Sequence, residues 1–231
     1  MAIIAFDLDG TLVDSVPDLH IAVNALLISL GKPETSLDTV RGWVGNGMEV
    51  LVARALANDV NASPDDSEYF ASALSKFKLE YARTEHKASC VYPGVEAALS
   101  QLTQLGYKLA VVTNKAEAYG RALLDTLDLS PYFELLLGGD SVDNKKPAPD
   151  GLHQVKQHFG VNATEILMVG DSENDIIAAH QFGCPVIAVS YGYNYGRDIA
   201  LTKPDRIVDT FSAVVHAVDD LKGQQGKQNY E

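Results

Sequence analysis

Five short runs along the chain are apolar almost throughout rather than at alternate positions: residues 2–6, 108–112, 134–137, 166–169 and 185–189. A strand with one wet face alternates, whereas a strand covered on both faces reads as a near-continuous hydrophobic run, so these predict a buried parallel sheet. Between and after them lie segments with apolar residues at helical spacing, 95–105, 116–127, 151–159, 174–182 and 211–221. Each is long enough to be the crossover between parallel strands. The alternation predicts an α/β fold with a doubly wound, Rossmann-like parallel-sheet core.

Between residues 15 and 89 the alternation stops. Helical periodicity alone remains, over 16–30, over 48–57 and over a long segment opening at Ser63-Pro64-Asp65-Asp66. Ser63 is suited to cap that helix, with Pro64 at its first position and acids in its first turn. A block of this kind between the first strand and the second predicts a small all-helical insertion. The chain is expected to return to the core near Val91-Tyr92-Pro93-Gly94, a turn-rich stretch. The division is then 1–14 with 90–231 for the α/β core and 15–89 for the insertion. The polar residues 222–231 predict a frayed end.

Composition narrows the class. Of 231 residues 46% are hydrophobic, which argues against disorder, and the formal net charge is −13. That charge repels phosphate backbones and anionic lipid, so neither a nucleic acid nor a membrane is an expected partner, and a phosphorylated ligand requires a locally positive site. Cys90 and Cys184 stand in no zinc-type cluster and read as two buried, reduced thiols. The first apolar run is ended by Asp7 and Asp9 and lacks a basic flank, so no signal peptide is expected. The longest apolar segment, 21–30, falls short of the ~18 residues a membrane span requires. These features predict a reducing cytoplasm.

The chemistry concentrates at the ends of the predicted strands. In Phe6-Asp7-Leu8-Asp9-Gly10-Thr11 the two acids, at i and i+2, share one face of an extended chain and point into the crevice beyond the first strand. Two carboxylates on a buried edge repel unless a cation or a proton lies between them. A calcium loop counted from Asp7 would need Gly at its sixth place and Glu at its twelfth, where this chain has Leu12 and Asp18. Thr113 and Asn114 follow the second core run and suit either phosphate oxygens or a helix cap. Lys145 and Lys146 sit in a proline-stiffened loop after the third, readable also as a solvated basic loop. Gly170-Asp171-Ser172-Glu173-Asn174-Asp175 closes the fourth, its acids suited to a metal or to a helix N-terminus. Together they place two Asp, a Thr, a Lys and further Asp at one side of a parallel sheet. Hard oxygen donors of this kind favour Mg²⁺ together with a phosphate.

In this order the motifs resemble those of the haloacid dehalogenase superfamily. The resemblance implies that Asp7 is a nucleophile forming an aspartyl-phosphate, and that Asp9 is first general acid and then general base. It further implies that Thr113 and Asn114 hold phosphoryl oxygens, that Lys146 neutralises charge, and that Mg²⁺ is held by Asp7, the Asp9 main-chain carbonyl and Asp171, with Asp175 in support. Retention of Asp9 separates the chain from the carbon–halide branch, and Gly170 in place of a Glu separates it from typical phosphomutases. The insertion is similar to the small cap of this superfamily, which closes over small substrates.

A closer likeness to the bacterial phosphoglycolate phosphatases rests on Arg41-Gly42-Trp43-Val44-Gly45-Asn46-Gly47, Gly138-Gly139-Asp140 and Tyr191-Gly192-Tyr193-Asn194-Tyr195-Gly196. It implies that 2-phosphoglycolate is the substrate, with Arg41 and the amides near Asn46 and Gly47 as candidates for its carboxylate. Such a protein is expected as a monomer or dimer. A broader sugar-phosphate phosphatase, a β-phosphoglucomutase-like mutase and a non-catalytic receiver domain remain alternatives. The three tyrosines either flank the site or stabilise a loop.

Overall fold

A computed structural model describes residues 1–228. Six strands form one parallel sheet: β1 (Ile3–Phe6), β4 (Lys108–Val112), β5 (Leu135–Leu137), β6 (Ile166–Gly170), β7 (Val186–Val189) and β8 (Arg206–Val208), in the order β5-β4-β1-β6-β7-β8. The chain winds outward from β1 to β4 and β5, then crosses back to β6 on the other side of β1. That reversal opens a crevice beyond the carboxyl ends of β1 and β6. β8 was not foreseen. It is an edge strand whose Ile207 is exposed, so it lacks the doubly buried run that marks the interior strands.

β1 shows why the runs are apolar throughout. Ile4 and Phe6 enter one hydrophobic layer, with residues of α5 (Val95–Gln104), α6 (Glu117–Thr126) and α9 (Val214–Gln228). Ile3 and Ala5 enter the opposite layer, with residues of α7 (Asp150–Phe159) and α8 (Glu173–Phe182). Successive side chains of a strand face opposite ways, so helices on both sides demand an apolar residue at each position.

Between β1 and the rest of the sheet, α1 (Val16–Ser29), α2 (Leu37–Arg41), α3 (Met48–Ala57) and α4 (Glu68–Thr84) pack around their own core of Leu19, Val23, Leu26, Trp43, Val52, Phe77 and Tyr81. The strands leading out and back, β2 (Val13–Asp14) and β3 (Cys90–Val91), pair antiparallel, Val13 opposite Val91. Buried Asp18 of α1 ties down the return, accepting from Ala88 N, Ser89 N (2.6 Å) and Ser89 Oγ (2.5 Å).

Three local expectations are corrected. The fourth helix is capped by Ser67, whose side chain accepts from Phe70 N at 3.0 Å, and not by Ser63. Asp65 instead accepts from Ser67 N, an Asx turn that holds the chain outside the helix. Cys90 is exposed on its short strand, whereas Cys184 is buried as expected. The expected frayed tail is helical through Gln228, and residues 229–231 lie outside the described residues. Among the described residues, no helix is long and apolar enough to cross a membrane.

Candidate active site

Asp7 follows β1, Thr113 follows β4, Lys146 lies in the loop after β5, and Asp171 follows β6, so parallel topology delivers all four to one edge of the sheet. Carboxylate oxygens of Asp7, Asp171 and Asp175 lie within 4.8 Å of one another, all three residues buried. Lys146 Nζ stands 2.9 Å from Asp7 Oδ1 and 2.6 Å from Asp175 Oδ1, and donates to Val112 O at 2.7 Å. Asp171 is fixed by Thr11 Oγ1 (2.8 Å) and by Tyr193 N (2.6 Å). Asp175 Oδ2 accepts from Ser172 N and Oγ at the start of α8, so it serves helix terminus and acidic cluster at once.

The cluster fits a divalent cation. Asp7 Oδ1 is buried with the Lys146 ammonium at 2.9 Å as its close partner, so three clustered carboxylates face a single ammonium and carry more negative charge than it offsets. Close approach is built in. Gly10 adopts φ +92°, and a Cβ there would overlap the Asp171 carboxylate and the Tyr193 ring. One at Gly192 would also collide with Asp171.

A cavity of about 50 Å³ lies beside this cluster. Its core side carries Asp7, Asp9, Thr113, Asn114 and Lys115, and its other side is contributed by Leu19 of α1, Met48 and Leu51 of α3, Tyr81 of α4 and Val44 of the loop before α3. Asp9 is clasped by Lys115 Nζ, 3.0 and 3.2 Å from its two oxygens, and by Ser15 Oγ at 2.5 Å. Asn114 is a strap, its Nδ2 donating to Gly45 O and to Lys146 O, both at 2.9 Å.

The profile of the haloacid dehalogenase-like hydrolases matches residues 4–189. The chain belongs to that family. A phosphoglycolate phosphatase of Pseudomonas syringae pv. tomato is 44% identical over 222 residues, 96% of this chain and 81% of the relative. One from Vibrio parahaemolyticus is 42% identical over 217 residues, 94% and 95% of the two chains. The crystal structure of a predicted phosphoglycolate phosphatase from Haemophilus somnus superposes with a TM-score of 0.88 at 38% identity, covering 94% of this chain and 98% of that one.

Electrostatics in this haloacid dehalogenase-like site follow from burial. Burial pushes the Asp7 carboxyl up to about 6, with Lys146 opposing and Asp175 and Asp9 reinforcing. Asp171 is pushed well above the ordinary carboxylate range by burial and by the charges of Asp7 and Asp175. Both shifts record negative charge awaiting compensation. For Lys146 burial works downward, but Asp175 and Asp7 outweigh it and raise the ammonium above its usual value. Lys115 behaves alike, raised by Asp9 and Tyr81 against the effect of burial.

Of the expected site residues, Asp7, Asp9, Thr113, Asn114 and Gly47 line the cavity, while Lys146, Asp171 and Asp175 stand around Asp7. Arg41 is not brought there. It ends α2 and pairs with Asp38 (3.1 Å) and Asp14 (3.5 Å), acids its own neighbourhood supplies. The Asn46 side chain is likewise engaged, by Arg54 Nη2 (3.0 Å) and Tyr195 OH (2.8 Å). The tyrosine tract flanks the site and stabilises its loop. Tyr191 OH donates to Thr11 O, Tyr193 OH to Asp14 Oδ1, and Tyr195 OH bridges Asn174 and Asn46. Lys115 was overlooked. Its only signal was adjacency to Thr113-Asn114, and a lone lysine after a strand ordinarily reads as solvated.

Proposed function

We propose that this protein hydrolyses 2-phosphoglycolate to glycolate and phosphate with Mg²⁺ as cofactor. The observation that carries the reading is the buried Asp7 carboxylate, set between Lys146 and two further carboxylates at the edge of a small cavity. The 42–44% identity to phosphoglycolate phosphatases over nearly the whole chain supports the substrate.

The Asp7 carboxylate attacks phosphorus in line, the ester P–O bond breaks, and Asp9 delivers its proton to the departing glycolate oxygen. Water then attacks the aspartyl-phosphate, giving its proton to Asp9, and phosphate leaves with Asp7 restored. Thr113 Oγ1 and the Asn114 main-chain N–H hold phosphoryl oxygens, and Lys146 offsets charge on nucleophile and phosphate. Asp7, the Asp9 main-chain carbonyl and Asp171 would hold Mg²⁺, with Asp175 fixing Lys146 beside it. When bound, the cation supplies charge neutralisation between attacking carboxylate and phosphate. Residues 15–89 act as a cap over a core of 1–14 and 90–231, its apolar side excluding water. The free thiols of Cys90 and Cys184 support a cytoplasmic setting.

The test is phosphate release from 2-phosphoglycolate with and without Mg²⁺, for wild type and Asp7→Asn. Multiple turnovers requiring both Mg²⁺ and Asp7 are expected. Full activity of Asp7→Asn, or after exhaustive chelation, overturns the mechanism, and hydrolysis of sugar phosphates in preference to 2-phosphoglycolate overturns the substrate.

A further inference from the structure

The acidic cluster and Lys146 account for the phosphoryl end of the substrate, leaving the organic end to the rest of the cavity. Most of that wall is apolar, formed by Leu19, Val44, Met48, Leu51 and Tyr81. Lys115 is the exception. It is the one cationic residue among those lining the cavity, it is buried, and its ammonium lies 5.1 Å from the centre of the Tyr81 ring. Its Nζ is held at 3.0 and 3.2 Å from both oxygens of Asp9, the acid that meets the leaving group. The other nearby cations do not line the cavity: Lys146 faces Asp7 and Asp175 at the phosphoryl end, Lys145 pairs with Glu49, Arg41 with Asp14 and Asp38, and Arg54 donates to Trp43 O and Asn46 Oδ1.

We infer that Lys115 is the carboxylate-selecting residue of this site, so that the preferred substrates are small phosphomonoesters bearing an acid close to the ester oxygen. This rests on the function proposed above and names the group that discriminates within it. An anionic organic end against an otherwise apolar wall is left unpaired unless a buried cation faces it, and an ammonium has donors to share between Asp9 and a ligand. Held against Asp9, Lys115 also fixes the distance between the substrate's acid and the oxygen that takes the proton. A short acid fits this span.

Two measurements test the assignment. The first compares kcat/KM for 2-phosphoglycolate and for ethyl phosphate, its counterpart without the acid. Wild type should prefer the former by about tenfold or more. Lys115→Met loses activity on both but abolishes the preference, whereas Lys115→Arg retains much of it. The second avoids turnover, and its double variant leaves neither an unpaired buried acid nor an unpaired buried ammonium. Calorimetry in saturating Mg²⁺ compares 3-phosphonopropionate with propylphosphonate on Asp9→Asn and on Asp9→Asn/Lys115→Met. The single variant, which keeps the lysine, should prefer the carboxylated phosphonate, and the double variant should bind the two alike. Equal losses on both esters in Lys115→Met, or a preference that persists in the double variant, refute the role of Lys115. A wild type that does not distinguish the two esters refutes instead the substrate from which the inference starts.

Discussion

Lys146→Met removes the only ammonium that contacts both Asp7 and Asp175 among the described contacts, at 2.9 and 2.6 Å, with Asp175 wholly buried and Lys146 nearly so. Methionine fills similar volume, so the change is one of charge rather than packing. Deleting one partner of a buried ion pair typically costs ~3–5 kcal/mol, because the survivor is left charged without compensation. For a chain of this length each kcal/mol moves the thermal midpoint by ~2–4 °C, giving an expected fall of ~6–20 °C. Turnover should also drop by ~10²–10³, the usual effect of deleting one electrostatic stabiliser. Thermal denaturation in excess chelator isolates the first effect, since no bound cation then offsets the acids. Lys146→Met/Asp175→Asn, which neutralises one orphaned acid, should recover a large part of the lost stability while remaining inactive. A single variant melting within ~3 °C of wild type, or a double variant no more stable than the single, refutes the argument from uncompensated charge.

Further expectations concern the surroundings of the cluster. Gly10→Ala adds a Cβ at φ +92° against the Asp171 carboxylate, and should cost ~1–3 kcal/mol of stability and most Mg²⁺-dependent phosphate release, with wild-type turnover the refuting result. Tyr195→Phe removes the hydroxyl joining Asn174 to Asn46, loosening the helical loop over the cavity. KM for the phosphomonoester should rise ~5-fold or more with folding little changed, and an unaltered KM would show that this bridge does not set closure. His86 is buried near Lys115, which together hold its imidazole below the ordinary value of 6.5. Above that value neither folded nor unfolded chain carries this proton. As pH falls the unfolded chain binds it first, so stability declines until the folded-state pKa is passed. Urea midpoints for wild type and His86→Gln across ~pH 5 to 7.5 should show a shallower acid slope in the variant, and equal slopes would exclude His86 as a contributor.

What the chain specified locally was legible in its residues. A strand covered on both faces must be apolar at every position, so β1, β4, β6 and β7 announced themselves, and the run without strands after Asp14 marked the helical insertion. Acids directly following such runs were bound to reach one edge of the sheet, because parallel strands end on the same side. β8 escaped because an edge strand with exposed residues carries no such signature, and Ser63 misled because Ser-Pro-Asp-Asp carries a cap signature of its own while the turn at Asp65 delays the helix to Ser67. The partners of side chains depended on tertiary structure. Thr11 meets Asp171 across 160 positions and Lys115 meets Asp9 across 106, pairings that strand order and helix packing create and no local pattern encodes. For the same reason Arg41, promising in the sequence, was drawn to nearby acids, while a lysine with no distinguishing neighbours became the buried cation of the cavity. Periodicity is a property of a segment, whereas the charge a side chain finally faces depends on where the whole chain folds.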